Sequence, residues 1–564
     1  MSWYRKKRSD KTEVYKQCEE DQCRKQVLRH PVGCTTHVLD AACGGDARDT
    51  RSEMRELSEA RTTITVLARE PRSEMAVSLY AVLTLAVTAL GATIALSLVP
   101  RTQHKGSLVP EKIVNPNRII RTLKRVYYIL QFRETSLKKA SNELVENSQC
   151  GRVWLTVRSP DVRISATVIV QDVLELNWDF NGCSTVPTQI GLFDEKPLSW
   201  MSALSVFLVP SVEGYVVTNM SVGRGTLPAG WENGVGAKGP KCLWPWVGAG
   251  DNINIQAYNC LKIQPTWMED NAPKINNLRI GDLAIAGTHN AGAWRFDTEL
   301  SQVSRDSFVL CQDRSIWAQL VHGIRYFDFR IAYYEFYGNE DDRYWLNHNL
   351  IRVRPLVPLL REIRAFLDAT KEVVFLDAHH FPVGFYQQDG TPIRNVHAGL
   401  LEIIQRELGP HLAHAGEFGT GPGSKGPTLQ SLINANKRLL FSYVDNSIVS
   451  QNSWLWPILP HLWANTNSPT ELFQYLDAAI SMSPQPTARS PLFSAMAQTT
   501  PTVLDILFLR GSLRENADAV NRNVTARFAS RWRTQANIIS TDFFLGSDVV
   551  DLSIMISNER ASRL

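Results

Sequence analysis

A chain of 564 residues is longer than one ordinary domain. With 44% hydrophobic and 21% charged residues, most of it can bury a core. Its 60 basic and 56 acidic residues nearly balance, which gives no footprint of the clustered basic face that nucleic acid requires, so no nucleic-acid partner is expected.

Residues 1–74 mix charges without periodicity and read as a poorly ordered tail. Their Cys18, Cys23, Cys34 and Cys43 match no standard zinc-finger spacing and read as unpaired thiols. Within residues 75–100, Ala76–Val99 carries no charge, which is long enough for a transmembrane helix. Met75 directly precedes it, so a start there would make the run a secretory signal segment and remove the tail. Flanking arginines and lysines on both sides leave the orientation open. Either reading sends the downstream chain into the secretory pathway, membrane-anchored by one helix or secreted, with its main domains lumenal or extracellular. The sequons at Asn219 and Asn523 agree and are candidate glycosylation sites. Cys150, Cys183, Cys242, Cys260 and Cys311 allow at most two bridges and leave one thiol; Cys183 with Cys242 or Cys260 is one pairing.

Residues 101–149 are basic, and RIIRTLKRVYYILQF has helical spacing, so a helical stalk is expected. Residues 150–268 hold short β-branched and aromatic runs (VWLTVRS, ISATVIVQ, VLELNWDF, QIGLF, YVVTNM, NINIQAY) separated by turns, the pattern of an antiparallel β-sandwich-like domain with no catalytic pair. From 270 to 560 the pattern changes. Apolar runs LAIAGTH, IRYFDFRI, EVVFLDAHH, RLLFSYVD and NIISTDFF alternate with helical stretches such as VPLLREIRAFLDAT and AGLLEIIQREL. Repeated strand and helix implies parallel βαβ units, an α/β fold of the TIM-like (β/α) barrel kind, whose chemistry sits at the C-terminal strand ends.

Those ends carry His289 and Asn290, then Asp328 and Arg330 on one side of their strand, His348 in WLNHN, Asp377, and Asp542. Two histidines suit attack on a phosphodiester: one takes a proton from a hydroxyl, the other gives one to the leaving oxygen, and each needs a carboxylate to hold its tautomer. A guanidinium stabilises charge growing on phosphoryl oxygens. His322, His379 and His380 read as bystanders.

GDLAIAGTHNAG, GIRYFDFRI, WLNHN, EVVFLDAHH and NIISTDFF, in that order, resemble the X-domain of phosphatidylinositol-specific phospholipase C, most of all its small X-domain-containing and bacterial forms. The β-rich segment resembles the domain that precedes it in arthropod members. The resemblance implies a phosphodiesterase that cleaves phosphatidylinositol-type lipids to diacylglycerol and a cyclic inositol phosphate. It makes His289 the base, oriented by Asp542, and His348 the acid, backed by Asp328, with Arg330 where the large signalling enzymes hold calcium. Chemistry without metal or other cofactor is therefore expected. Asn290 and Asp377 match the calcium-type enzymes and are assigned to substrate; they leave calcium as the one cation still open. The implied partners are a phospholipid substrate and a membrane surface, with the oligomeric state unknown. Trp454, Trp456 and Trp463 are candidates for a rim that dips into lipid. An inactive barrel serving as a lipid- or protein-binding module, and a magnesium-dependent glycerophosphodiesterase-like enzyme, are the competing readings; the latter chemistry wants Glu-x-Asp where Asp328 and Arg330 stand.

Overall fold

The computed structural model describes residues 150–158, 172–222, 226–295, 306–419, 421, 423–483 and 490–564. All lie in one compact unit, Tyr127–Leu564. The tail, the apolar run 76–99, the basic stalk and ISATVIVQ lie outside the described residues. Among the described residues, no helix is long and apolar enough to cross a membrane.

The first seven strands form two antiparallel sheets. β1 (Arg152–Arg158), β2 (Val173–Asp179) and β5 (Glu213–Ser221) make one, in the order β1-β2-β5. β3 (Gln189–Phe193), β4 (Ala203–Leu208), β6 (Lys241–Gly250) and β7 (Ile255–Ile263) make the other, in the order β4-β3-β6-β7. Alternate residues of both sheets, Val153, Leu155, Leu174, Leu176, Ile190, Leu192, Val247 and Ala249, share one buried cluster, as two packed sheets require. Two disulfides brace this layer, and their pairing corrects the sequence reading: Cys183 joins Cys150, and Cys242 joins Cys260. Cys311 is the remaining thiol and is buried.

The second half begins with β8 (Ile285–Thr288), β9 (Tyr326–Tyr333), the hairpin β10 (Tyr344–His348) and β11 (Ile351–Pro355), and β12 (Val374–His380). It continues with β13 (Leu439–Tyr443), β14 (His461–Leu462), β15 (Ser494–Met496) and β16 (Ile538–Thr541). β8 pairs in parallel with β9, β9 with β12, and β12 with β13. Trp456 bridges Ser442 of β13, and the same stretch of chain continues into β14, which pairs β15. β15 pairs β16, and β16 returns to β8. The ladder therefore closes on itself, consistent with the expected barrel. The helices α1 (Ile316–His322), α2 (Leu356–Ala369), α3 (Arg394–Leu408), α4 (Pro469–Ser481), α5 (Val503–Leu507), α6 (Leu513–Ala529) and α7 (Val549–Ala561) lie between and after these strands. α2 shows why: Leu356, Leu359, Leu360, Ile363, Phe366 and Leu367 recur at helical spacing and all are buried.

Strand alternation sorts the side chains into layers. Phe327, Phe329 and Ile331 of β9 join Leu376, Phe441 and Ile539 and the helices in one cluster. Ile285, Tyr326, Phe375, Leu440 and Ile538, one residue out of phase, form a second. In phase with that second set, two residues further along each strand, stand Gly287, Asp328, Asp377, Ser442 and Ser540. The apolar layer thus floors a polar one at the C-terminal strand ends.

Among the described residues, ion pairs Arg152–Asp548, Arg158–Asp518, Asp172–Arg314, Glu175–Arg522 and Lys262–Asp551 tie the β-sandwich to the barrel. Trp231, fully buried, packs into the barrel cluster against Trp317 and Phe366.

Candidate active site

The opening turn after β8 is built on close approaches. A Cβ on Gly287 would lie 2.7 Å from Tyr326 Cδ1, and one on Gly292 would lie 2.7 Å from Leu346 Cβ. Small residues here let β9 and the β10–β11 hairpin pack against the turn. The turn delivers His289, whose Nδ1 lies 2.7 Å from Asp542 Oδ1, across 253 residues of sequence. With Nδ1–H donated to that carboxylate, Nε2 keeps its lone pair. Arg330 Nη2 stands 2.8 Å from Nε2. The sequence motifs that carried His289, Asp542 and Arg330 are thus brought together.

Asp328 is fully buried. Its Oδ2 accepts from the Asn290 backbone N–H at 3.0 Å and from Arg330 Nε and Nη2 at 3.3 Å. Burial alone would raise this carboxyl, but Arg330 and the neighbouring histidines outweigh burial and hold it well below the carboxylate range. The resemblance placed Asp328 behind His348. Its hydrogen bonds run instead to Asn290 and Arg330, and its Oδ1 has no partner.

His348 ends β10, which pairs antiparallel with β9, so the second histidine arrives on a hairpin rather than on a parallel strand. It makes a backbone hydrogen bond with Phe308. Burial, then the charges of Arg330 and His289, push its pKa down to about 3.

Asn290 is buried, but its side-chain amide nitrogen has no hydrogen-bond partner. Asp377 accepts from Ser442 Oγ on one oxygen (2.7 Å) and from Tyr326 Oη on the other (2.8 Å), and His461 Nε2 lies 2.9 Å from that second oxygen. His379, read as a bystander, stacks on His461 with ring centres 3.3 Å apart. His461 was not legible as a partner, because it contacts Asp377 over 84 residues of sequence. Gln312 was missed too: its Nε2 donates to the carbonyls of His289 (3.0 Å) and Thr541 (2.9 Å), clamping the two strand ends that carry the His289–Asp542 pair. Nothing in the aperiodic stretch around it signals this role.

The rim differs from expectation. Trp454 and Trp456 are 8% and 3% exposed and belong to the core, where Trp456 Nε1 donates to the Ala413 carbonyl. Trp463 is 46% exposed. Its Nε1 donates to Thr500 Oγ1, which leads into α5. There Val503, Leu504, Ile506, Leu507, Phe508 and Leu509 are all exposed, an apolar rim the sequence reading did not single out. Asn219 and Asn523 are both exposed.

Fold and site together define a mixed α/β protein with a histidine–aspartate pair and a guanidinium at the ends of parallel strands. No family model matches the chain. Human PI-PLC X domain-containing protein 2 is 28% identical over 261 residues, covering 43% of this chain and 79% of that protein. Mus musculus PI-PLC X domain-containing protein 3 is 25% identical over 321 residues, covering 52% and 92%. Human PI-PLC X domain-containing protein 1 is 25% identical over 240 residues, covering 39% and 69%. The chain is a relative of the PI-PLC X domain-containing proteins. Among solved structures, the phosphatidylinositol-specific phospholipase C of Listeria monocytogenes covers 52% of this chain and 98% of its own at 18% identity with a TM-score of 0.37, a likeness too slight to add to the reading.

Proposed function

We propose that the barrel half is a metal-independent phosphodiesterase that cleaves a phospholipid head group through a cyclic phosphate. The observation that carries this reading is the His289 pair: Nδ1 bound to Asp542 at 2.7 Å and Nε2 facing Arg330 at 2.8 Å. His289 Nε2 takes the proton of a ring hydroxyl next to the phosphoester. That oxygen bonds to phosphorus, and the bond from phosphorus to the glycerol oxygen breaks. His348 gives its proton to the leaving oxygen, and Arg330 turns from Nε2 to the phosphoryl oxygens as charge builds there. Calcium does not fit the same place. It wants six to eight oxygen ligands, and the guanidinium fills the space between His289 and Asp328. The exposed apolar residues around Trp463 and α5 suit a membrane surface as the site of the substrate.

One observation favours a second reading, a lipid-binding module without turnover: His348 has a low proton affinity and is not hydrogen-bonded to Asp328. Phosphatidylinositol vesicles incubated with the wild type and with His289→Ala separate the two. Cyclic inositol phosphate from the wild type alone is the expected result. Equal vesicle binding by both proteins with no product from either supports the module.

A further inference from the structure

A second group of ligating side chains stands one strand away from Arg330. Asp377 and His379 are two apart on β12, and β12 pairs β9 with Asp377 opposite Asp328. The register slips between Ala378 and His380, a bulge that sets the direction of His379. His461 enters from β14. One ligand atom from each of Asp377, His379 and His461 lies within 4.8 Å of the others. His461 Nε2 is 2.9 Å and His379 Nδ1 3.6 Å from the same oxygen, Asp377 Oδ2. His379 Nδ1 is a buried nitrogen without a hydrogen-bond partner. The carboxylate is itself held by Ser442 Oγ on one oxygen and Tyr326 Oη on the other, as the outer partners of a metal ligand are.

We propose that Asp377, His379 and His461 form a binding site for one divalent transition-metal ion of the zinc class. Two imidazoles and one carboxylate are a zinc set that leaves a coordination position open. Nitrogen donors select such ions over calcium and magnesium, which prefer oxygen. The two rings, parallel at 3.3 Å, must tilt apart to share the ion. His289, Cys311 and Asp542 are also close together, but burial pushes the Cys311 thiol well up, and the thiol form is a poor ligand. The ion lies beside the Arg330 position and not in it, so the proposed cleavage needs no metal here, and loss of either reading leaves the other standing.

The test uses the full chain, stripped with chelator and titrated with Zn2+ against a chromophoric competitor, then with Co2+ followed by visible absorption. Because Cys18, Cys23, Cys34 and Cys43 are also in the chain, those four are replaced by serine in a parallel sample. The expected result is one equivalent of Zn2+ that survives the serine replacements, is not displaced by excess Ca2+ or Mg2+, and is lost in His379→Gln/His461→Gln. X-ray absorption of the zinc-loaded serine-replaced protein, which needs no site variant, should show nitrogen and oxygen neighbours without sulfur. No equivalent in the serine-replaced protein, or one that the double histidine variant keeps, would overturn the proposal.

Discussion

The two histidines placed at the proton transfers, and the aspartate that orients one of them, are each followed by a residue in the left-handed region. Asn290 after His289 has φ 43°, Asn349 after His348 has φ 50°, and Phe543 after Asp542 has φ 46°. Asparagine takes this conformation more readily than most residues, and a phenylalanine there is unusual. The sharp reversal lets a strand end present its last side chain inward while the backbone leaves. Asn290, assigned to substrate from sequence, thus has a backbone role as well: its N–H holds Asp328. His348 yields a prediction at this scale. Its pKa of about 3 leaves it neutral in the free protein, because desolvation and then the charge of Arg330 disfavour the imidazolium. A bound phosphodiester anion offsets that guanidinium and raises the proton affinity of the imidazole. Binding of a non-cleavable phosphonate analogue at pH 6–7 should therefore take up close to one proton, measured by calorimetry in buffers of different ionisation enthalpy. Uptake should vanish in His348→Gln. Proton release, or the same uptake in the variant, would count against the acid role.

Among the elements, the hairpin β10–β11 matters most, since it carries His348 and touches the first turn through Leu346 and Gly292. Gly292→Ala puts a methyl group 2.7 Å from Leu346 Cβ and must displace the hairpin. Overpacking of this kind costs about 1–3 kcal/mol of stability. A shift of about 1 Å at a reacting group costs on the order of 100-fold in rate. The variant should remain folded by near-ultraviolet circular dichroism yet lose most of kcat; a wild-type kcat would mean the hairpin position is not critical. This element was half legible. WLNHN stood out as a strand end, but its antiparallel pairing came from contacts that periodicity does not carry. β14 and β15, two and three residues long, are too short for any pattern to reveal. By contrast β9 reads clearly, because Tyr326, Asp328 and Arg330 alternate with Phe327, Phe329 and Ile331. The tryptophans misled for a related reason. Composition cannot tell an aromatic that faces solvent from one that plugs the floor, and Trp456 plugs it.

Across the whole molecule, the sandwich and the barrel meet at a seam with a cavity of about 50 Å³, lined among others by Trp154, His322, Phe544 and Asp548. Burial, then the charge of Arg314, pushes His322 down to about 3 from an ordinary 6.5. The unfolded chain therefore binds this proton first. The stability it secures is complete above about pH 6.5 and is lost progressively as pH falls towards 3. Asp548 acts in the opposite sense. Burial pushes its carboxyl up, against the charge of its partner Arg152. His322→Leu removes one side of this balance. Between pH 6 and 4 it should lower the slope of unfolding free energy against pH by about 1.4 kcal/mol per pH unit, one proton's worth, in urea melts. An unchanged slope would mean that His322 is charged in the folded protein.

In the proposed mechanism Arg330 does what a cation does in calcium-type enzymes. The decisive experiment is the initial rate of cyclic inositol phosphate formation on phosphatidylinositol vesicles. It is made in excess chelator and again in millimolar calcium, for the wild type and for Arg330→Ala. Equal wild-type rates in both buffers are expected, with a loss of at least about 100-fold in the variant, the scale of removing one transition-state donor. A wild-type rate that appears with calcium and is absent in chelator would contradict it.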